Sequence, residues 1–115
     1  MKPVIAITIG DFNGVGPELA LRAASHSSVK KICSPLLVGP LGIFKHVQSS
    51  LKTPGRLQKA AAILPRGNVL PVIDVGDGIA ADIQYGGPTK ESGKSAGVAL
   101  ENAVSLCLNR KADAM

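Results

Sequence analysis

Apolar positions divide the chain into segments of alternating strand and helix character. The uncharged, mostly β-branched run at residues 4–9 predicts a strand buried on both faces, as in a parallel sheet. Residues 17–25 and 41–51 carry apolar residues at helical spacing, and the run at 32–38 predicts a second strand. In the 41–51 helix the predicted buried face is Ile43, Phe44, Val47 and Leu51.

The polar cluster at residues 25–28 marks the end of the first helix, and His26 within it is expected to be a solvated loop residue. Residues 56–64 predict a short Ala-rich helix. The run at 69–75 predicts a strand in which Pro71 favours an edge or irregular position.

The last element is a long helix at 92–110, capped by Ser92. Its predicted buried face is Ala96, Ala99, Leu100, Ala103, Val104 and Cys107. The alternation of elements predicts an α/β fold with one largely parallel sheet.

Composition and charge narrow the classes of partner. The net charge is +5, but the basic residues are scattered and only 3% of residues are aromatic, so nucleic acid is not an expected partner. The favoured interpretation of the positive charge is an ordinary solvated surface, and the second is attraction of a phosphate-bearing substrate. No apolar run is long enough for a membrane span, and no signal peptide is evident, so we expect no membrane partner and a cytoplasmic location.

Metal-binding patterns are weak in this sequence. Cys33 and Cys107 are far apart and form no C-x-x-C motif, so each is expected to be a small buried residue. Asp74, Asp77 and Asp82 match no calcium loop and are expected to be turn and surface carboxylates.

The densest chemical signal is the corner after the first strand, at residues 10–18. Its glycines are spaced Gly10-x3-Gly14-x-Gly16, which is neither a dinucleotide fingerprint nor a Walker loop. Pro17 and Glu18 then suit the first turn of a helix. Strand, corner and helix N-terminus could hold an anion, although the spacing alone favours a tight turn without ligand.

The run from Ile7 to Glu18 resembles the N-terminal signature of the 4-hydroxythreonine-4-phosphate dehydrogenases of vitamin B6 biosynthesis, usually G-D-P-A-G-I-G-P-E. Phe12, Asn13 and Val15 depart from that pattern. The related isocitrate and isopropylmalate dehydrogenases carry a shorter G-D-G-I-G-P-E. The resemblance implies a truncated form of their three-layer, doubly wound α/β fold, with residues 1–115 as the N-terminal part of one domain and the metal and substrate domain outside the chain.

The resemblance also implies a reaction. The full-length parent would be an NAD- or NADP-dependent oxidoreductase that converts 4-phosphohydroxy-L-threonine to the 3-oxo acid, which decarboxylates to 3-amino-2-oxopropyl phosphate in pyridoxal phosphate biosynthesis. It would be a homodimer, and a divalent metal (zinc, magnesium or cobalt) would polarise the hydroxyl from ligands outside this chain.

The resemblance assigns the corner residues to the cofactor and substrate cleft. The implied cleft residues are Gly10, Asp11, Asn13, Gly14 and Gly16, among which Asp11 is the expected polar group. No catalytic residue or metal ligand is identified in this chain, so the 115 residues alone are expected to be inactive.

Two other functions are compatible with the same residues. A sister dehydrogenase could use the fold on 4-phosphothreonate or 4-phosphoerythronate, because its N-terminal signature would look the same. A truncated, non-catalytic binding module would follow if 115 residues were the whole product.

Overall fold

The structure, a computed structural model, describes residues 2–60, 67–76, 78–79 and 82–115. It contains four strands and four helices within these residues. In chain order they are β1 (Val4–Thr8), α1 (Gly16–Ser25), α2 (Ser27–Ile32), β2 (Ser34–Gly39), α3 (Leu41–Leu51), β3 (Arg56–Lys59), β4 (Val69–Asp74) and α4 (Lys90–Leu108).

The strands form one sheet in the order β1-β2-β4-β3, and each neighbouring pair is parallel. Helices α1 and α3 contact each other on the sheet, whereas α4 packs on β1 and β2. The prediction of a parallel, helix-flanked α/β fold is confirmed.

Strand β2 lies at the centre of the hydrophobic core. All of its residues after Ser34 are buried, because β1 and β4 cover its two edges and helices cover its faces. Helix α3 contributes Ile43, Phe44 and Val47, the face predicted from the sequence, while Leu51 is only partly buried. With so few aromatic residues, the core is built mainly from aliphatic side chains that pack closely between sheet and helices.

Strand β1 is less buried than its sequence predicts. Only Ala6 within the strand is buried, since β1 is the first strand in the sheet order. The end of the chain lies along its outer edge: Ala6 N–H donates to the Ala114 carbonyl at 2.9 Å, and Asp113 N–H donates to the Val4 carbonyl at 2.8 Å. Burial on both faces was therefore wrong for this strand within the described part of the chain.

The predicted helix at 56–64 is wrong where the structure describes it. Residues Arg56–Lys59 form β3, because they pair in register with β4 and bury Leu57. This pairing overrides the local helix propensity. Residues 61–64 of that prediction lie outside the described residues.

A short helix replaces the predicted loop after α1. Helix α2 spans Ser27–Ile32, so β2 begins at Ser34 and not at Ile32. His26 is exposed, as expected, and its ring Nδ1 caps the new helix by accepting from Ser28 N–H at 3.2 Å.

Pro71 lies in an interior strand, in regular register with β3, contrary to the predicted edge or irregular position. Strand β4 lies between β2 and β3. Its register with β2 begins at Val72, one residue after the proline, so the missing N–H donor falls outside that ladder.

Helix α4 begins earlier than predicted. Thr89 is the cap residue, and Ser92 completes a capping box as the third helical residue. Ala99 and Ala103 are fully buried as predicted, but Leu100 and Val104 are exposed. The buried stripe instead extends through Ser92 and Ser95.

We predict that two matched leucine truncations separate core from surface. Leu37 in β2 is 1% exposed and Leu19 in α1 is 60% exposed. Leu37→Ala should lower the free energy of unfolding by about 3 kcal/mol, because it leaves a cavity in the central strand. Leu19→Ala should cost less than about 1 kcal/mol. Urea denaturation of both variants checks this, and equal losses would contradict the assigned core.

Candidate functional site

The corner between β1 and α1 depends on two glycines. Gly10 has φ +68°, a left-handed conformation that strains any residue with a Cβ. Gly16 is required for a different reason: an added Cβ would lie 2.2 Å from the Ile9 carbonyl oxygen. Gly14 meets neither constraint, since an added Cβ there would lie 3.6 Å from the Asp11 carbonyl oxygen. The chain therefore turns sharply and brings the start of α1 against the end of β1.

The first turn of α1 leaves backbone donors available at the corner. Val15 precedes the helix without a side-chain cap, and Pro17 lacks an N–H. The N–H groups of Gly16 and Glu18 have no acceptor within the helix, as at any helix N-terminus. The Glu18 side chain pairs with Arg22 at 3.0 Å, which fits its expected role as a helix-terminus carboxylate.

Asp11 shapes the corner with one carboxylate oxygen. Its Oδ1 accepts from Asn13 N–H at 2.8 Å, and its carbonyl accepts from Gly14 N–H at 3.0 Å. This is an Asx-type turn, in which a short carboxylate stands in for a backbone acceptor. Asp11 is half-buried, and its Oδ2 makes no hydrogen bond to the described residues.

Asn13 is directed into the protein. It is 2% exposed, and its amide Nδ2 donates to the Gly87 carbonyl at 3.1 Å and to Thr89 Oγ1 at 3.2 Å. Its Oδ1 accepts from Gln84 N–H at 2.6 Å, and its backbone carbonyl accepts from Gly86 N–H at 3.1 Å. We call these four bonds the Asn13 clamp. The clamp ties the corner to the segment that leads into α4.

Phe12 adds an apolar contact between the corner and the residues that follow β4. It is fully buried, and an added Cβ at Gly78 would lie 3.2 Å from its ring. One side of the corner is therefore covered by residues that follow β4. Gly14 and Val15 remain exposed on the other side.

The five predicted cleft residues thus divide into two groups. Gly10, Gly16 and Asn13 hold the geometry of the corner, while Asp11 and Gly14 are the ones that present a polar group or an exposed backbone. Their role toward a cofactor or substrate stays a prediction.

A pocket that the sequence did not predict lies near the N-terminal end of α4. Its volume is 450 Å³, and it lies between Gly76, just after β4, and the first turns of the helix. Lys90, Lys94 and Ser95 contribute to its wall. The sequence signal was the run Gly93-Lys94-Ser95, which by itself resembles only a capped helix.

The aspartates near the pocket serve as local acceptors. Asp74 Oδ1 accepts from Leu41 N–H at 3.0 Å at the start of α3, and Asp82 Oδ2 accepts from Ile79 N–H at 2.9 Å. Asp77 lies outside the described residues. Among the residues that the structure describes, no three of the types His, Cys, Asp and Glu come together as a candidate metal site. The described residues therefore offer no ligand set for the divalent metal that the resemblance implies.

Within residues 2–60, 67–76, 78–79 and 82–115, none of the helices combines the length and the hydropathy that a bilayer span requires.

We predict that alanine at two glycines of the corner changes stability by very different amounts. Gly16→Ala should lower the free energy of unfolding by about 3 kcal/mol, because backbone must move to relieve the contact with Ile9. Gly14→Ala should stay within about 1 kcal/mol of the wild type, since its added methyl meets only ordinary contacts. Thermal and urea denaturation of both variants check this, and a stable Gly16→Ala protein would refute the close approach.

Comparison with known proteins gives a consistent set of relatives, although no family model matches the chain. The 4-hydroxythreonine-4-phosphate dehydrogenase of Trichlorobacter lovleyi is 34% identical over 119 residues, which cover 99% of this chain and 35% of the relative. The Campylobacter fetus protein of the same name is 36% identical over 98% of this chain and 32% of its own length. The D-threonate 4-phosphate dehydrogenase of Cupriavidus necator is 30% identical over 98% of this chain and 34% of its own length.

Solved structures agree with these sequence relatives. A crystal structure of a 4-hydroxythreonine-4-phosphate dehydrogenase from Burkholderia phymatum superposes with a TM-score of 0.86 at 26% identity, over 97% of this chain and 34% of that one. A Salmonella typhimurium structure with a TM-score of 0.82 at 24% identity, over 97% of this chain and 36% of its own, supports the fold alone. The chain spans about a third of the length of these relatives. The resemblance drawn from the corner motif is thereby confirmed: the chain is a relative of the 4-hydroxythreonine-4-phosphate dehydrogenases and corresponds to about a third of such a protein.

Proposed function

We propose that this chain forms the N-terminal part of a dehydrogenase that oxidises 4-phosphohydroxy-L-threonine to the 3-oxo acid, with NAD or NADP as the hydride acceptor. The observation that carries the proposal is similarity over 99% of the chain to proteins named 4-hydroxythreonine-4-phosphate dehydrogenase. In this proposal the 3-oxo acid decarboxylates to 3-amino-2-oxopropyl phosphate, and the product serves pyridoxal phosphate biosynthesis.

The corner is the part of this chain that we assign to the cleft. Parallel α/β sheets bind ligands beyond the carboxyl ends of their strands, which is where residues 10–16 lie relative to β1. Backbone donors of Gly16 and Glu18 suit an anionic or carbonyl oxygen, and Asp11 Oδ2 suits a ligand hydroxyl or amide. Asp11 acts in this proposal as a binding group.

The remaining machinery is assigned to sequence outside the chain. We propose that a divalent metal (zinc, magnesium or cobalt) is held there and that the whole enzyme is a cytoplasmic homodimer. Since no metal-ligand cluster occurs among the described residues, no step of the reaction is assigned to a metal in this part of the protein.

A second substrate has its own support. The Cupriavidus necator relative is named D-threonate 4-phosphate dehydrogenase and matches 98% of this chain at 30% identity. The two substrates share a phosphate and a secondary alcohol, so the corner alone does not separate them. The second candidate function is therefore oxidation of a phosphorylated sugar acid by the same fold.

The test is a chimera in which residues 1–115 replace the matching N-terminal third of the Trichlorobacter lovleyi enzyme. We expect NADH or NADPH formation from phosphorylated hydroxythreonine by the chimera and none by the 115-residue chain alone. Turnover of D-threonate 4-phosphate in preference would select the second candidate. A folded chimera inactive on both substrates would contradict the enzyme assignment and favour a binding module.

Within the chimera, Asp11→Asn tests the binding role of the corner. The substitution keeps an oxygen for Asn13 N–H but removes the charge, so the thermal midpoint should change little while KM for cofactor or substrate rises by about tenfold, the factor of one charged hydrogen bond. Asp113→Asn is the matched control, because Asp113 accepts Val4 N–H at the opposite end of β1. Kinetic constants that stay at the values of the unsubstituted chimera in both variants would limit Asp11 to a role in the turn.

A further inference from the structure

The pocket beside α4 is lined in part by a buried serine, Ser95. Ser95 is 1% exposed, and its Oγ makes no hydrogen bond to the residues that the structure describes. Leaving a buried polar group unpaired is costly, so such groups are usually satisfied by protein, water or ligand. Ser95 lines the 450 Å³ pocket, which makes a bound group the natural partner.

Gly76 lines the same pocket and lies close to Ser95. Gly76 has φ +83°, and an added Cβ would lie 3.0 Å from Ser95 Oγ. A side chain at position 76 would therefore be strained and would crowd the hydroxyl. The glycine after β4 thus leaves out a side chain that would crowd the Ser95 hydroxyl.

The charges around the pocket identify a class of ligand. Lys90 and Lys94 are one helical turn apart and both line the pocket. The pocket lies at the positive end of a 19-residue helix, where the N–H groups of Lys90 and Glu91 have no intrahelical acceptor. Lysine ammonium groups, helix donors and a serine hydroxyl are together the donors that phosphate oxygens accept from.

Two carboxylates line the same pocket. Asp82 already accepts the Ile79 N–H, and Glu91 is an exposed residue of the first turn of α4. They disfavour a bare anion of high charge and favour a molecule that carries hydroxyl or amino donors beside its phosphate. The donors for phosphate and the two carboxylates together fit a small phosphorylated molecule.

We propose that the pocket formed by Gly76, Lys90, Lys94 and Ser95 binds the phosphate group of a small molecule. The proposal rests on the proposed function only for the choice of ligands to test. A phosphorylated hydroxy acid and the pyrophosphate of a dinucleotide present the same phosphate chemistry, and the binding measurement separates them.

The experiment uses the 115-residue protein and amide NMR shifts. Inorganic phosphate, O-phospho-L-threonine and NAD are titrated separately, with acetate as a non-phosphate anion. We expect saturable shifts at Gly76, Lys94 and Ser95 for at least one phosphate compound and none for acetate. The compound that binds most tightly identifies the source of the phosphate. The absence of saturable shifts at these residues with all three phosphate compounds would overturn the proposal.

Paired variants decide whether the pocket residues are responsible. Lys94→Gln should weaken phosphate binding by about fivefold or more, the factor of one hydrogen bond, whereas Lys45→Gln removes an exposed lysine of α3 and should not. Equal weakening by both would show nonspecific attraction to a basic protein and overturn the site.

Ser95→Ala provides a readout that a structural role would not give. Without phosphate the variant should melt at a higher temperature than the wild type, because it removes an unpaired buried hydroxyl. It should also bind phosphate about fivefold more weakly, while Ser50→Ala, at an exposed position of α3, changes neither property. A lower melting temperature with unchanged binding would mean that the hydroxyl serves the fold. These outcomes do not depend on turnover by the chimera.

Discussion

The satisfied amide of Asn13 is the interaction on which the arrangement of this end of the protein depends. A buried amide needs partners for its donors and its acceptor, and here all of them come from residues 84–89. Because Thr89 Oγ1 also accepts Ser92 N–H at 3.1 Å, the corner after β1 is joined directly to the capping box of α4. Residues 84–89, which lead into α4, are therefore held against the corner at the carboxyl end of β1.

This attachment explains how a 115-residue chain organises two neighbouring features. The corner keeps Gly14 and the half-buried Asp11 accessible, while its Phe12 and Asn13 hold the following segment in place. The start of α4, fixed through Thr89, then carries Lys90 and Lys94, which line the proposed phosphate pocket. Asn13 thus joins the segments that carry the two proposed binding features.

Much of the fold was predictable because the sequence pattern is local. The β-branched runs and the stripe of α3 identified β1, β2, β4 and that helix, and the glycine corner identified the relatives. The errors arise from long-range pairing. Arg56–Lys59 becomes a strand because β4 lies beside it, and Pro71 is tolerated inside the sheet because of register. The inward direction of Asn13 likewise depends on residues more than 70 positions away, which no local pattern reveals.

The most direct test of this account is native-state hydrogen exchange at the Gln84 amide in the wild type and in Asn13→Ala, with Asn68→Ala as an exposed control. The account predicts that Asn13→Ala speeds exchange at Gln84 by about tenfold or more, since it removes the acceptor at 2.6 Å, and also loosens the Ser92 amide through Thr89. Val38 in the central strand should keep its protection relative to global unfolding. Unchanged exchange at Gln84 in Asn13→Ala would contradict the clamp.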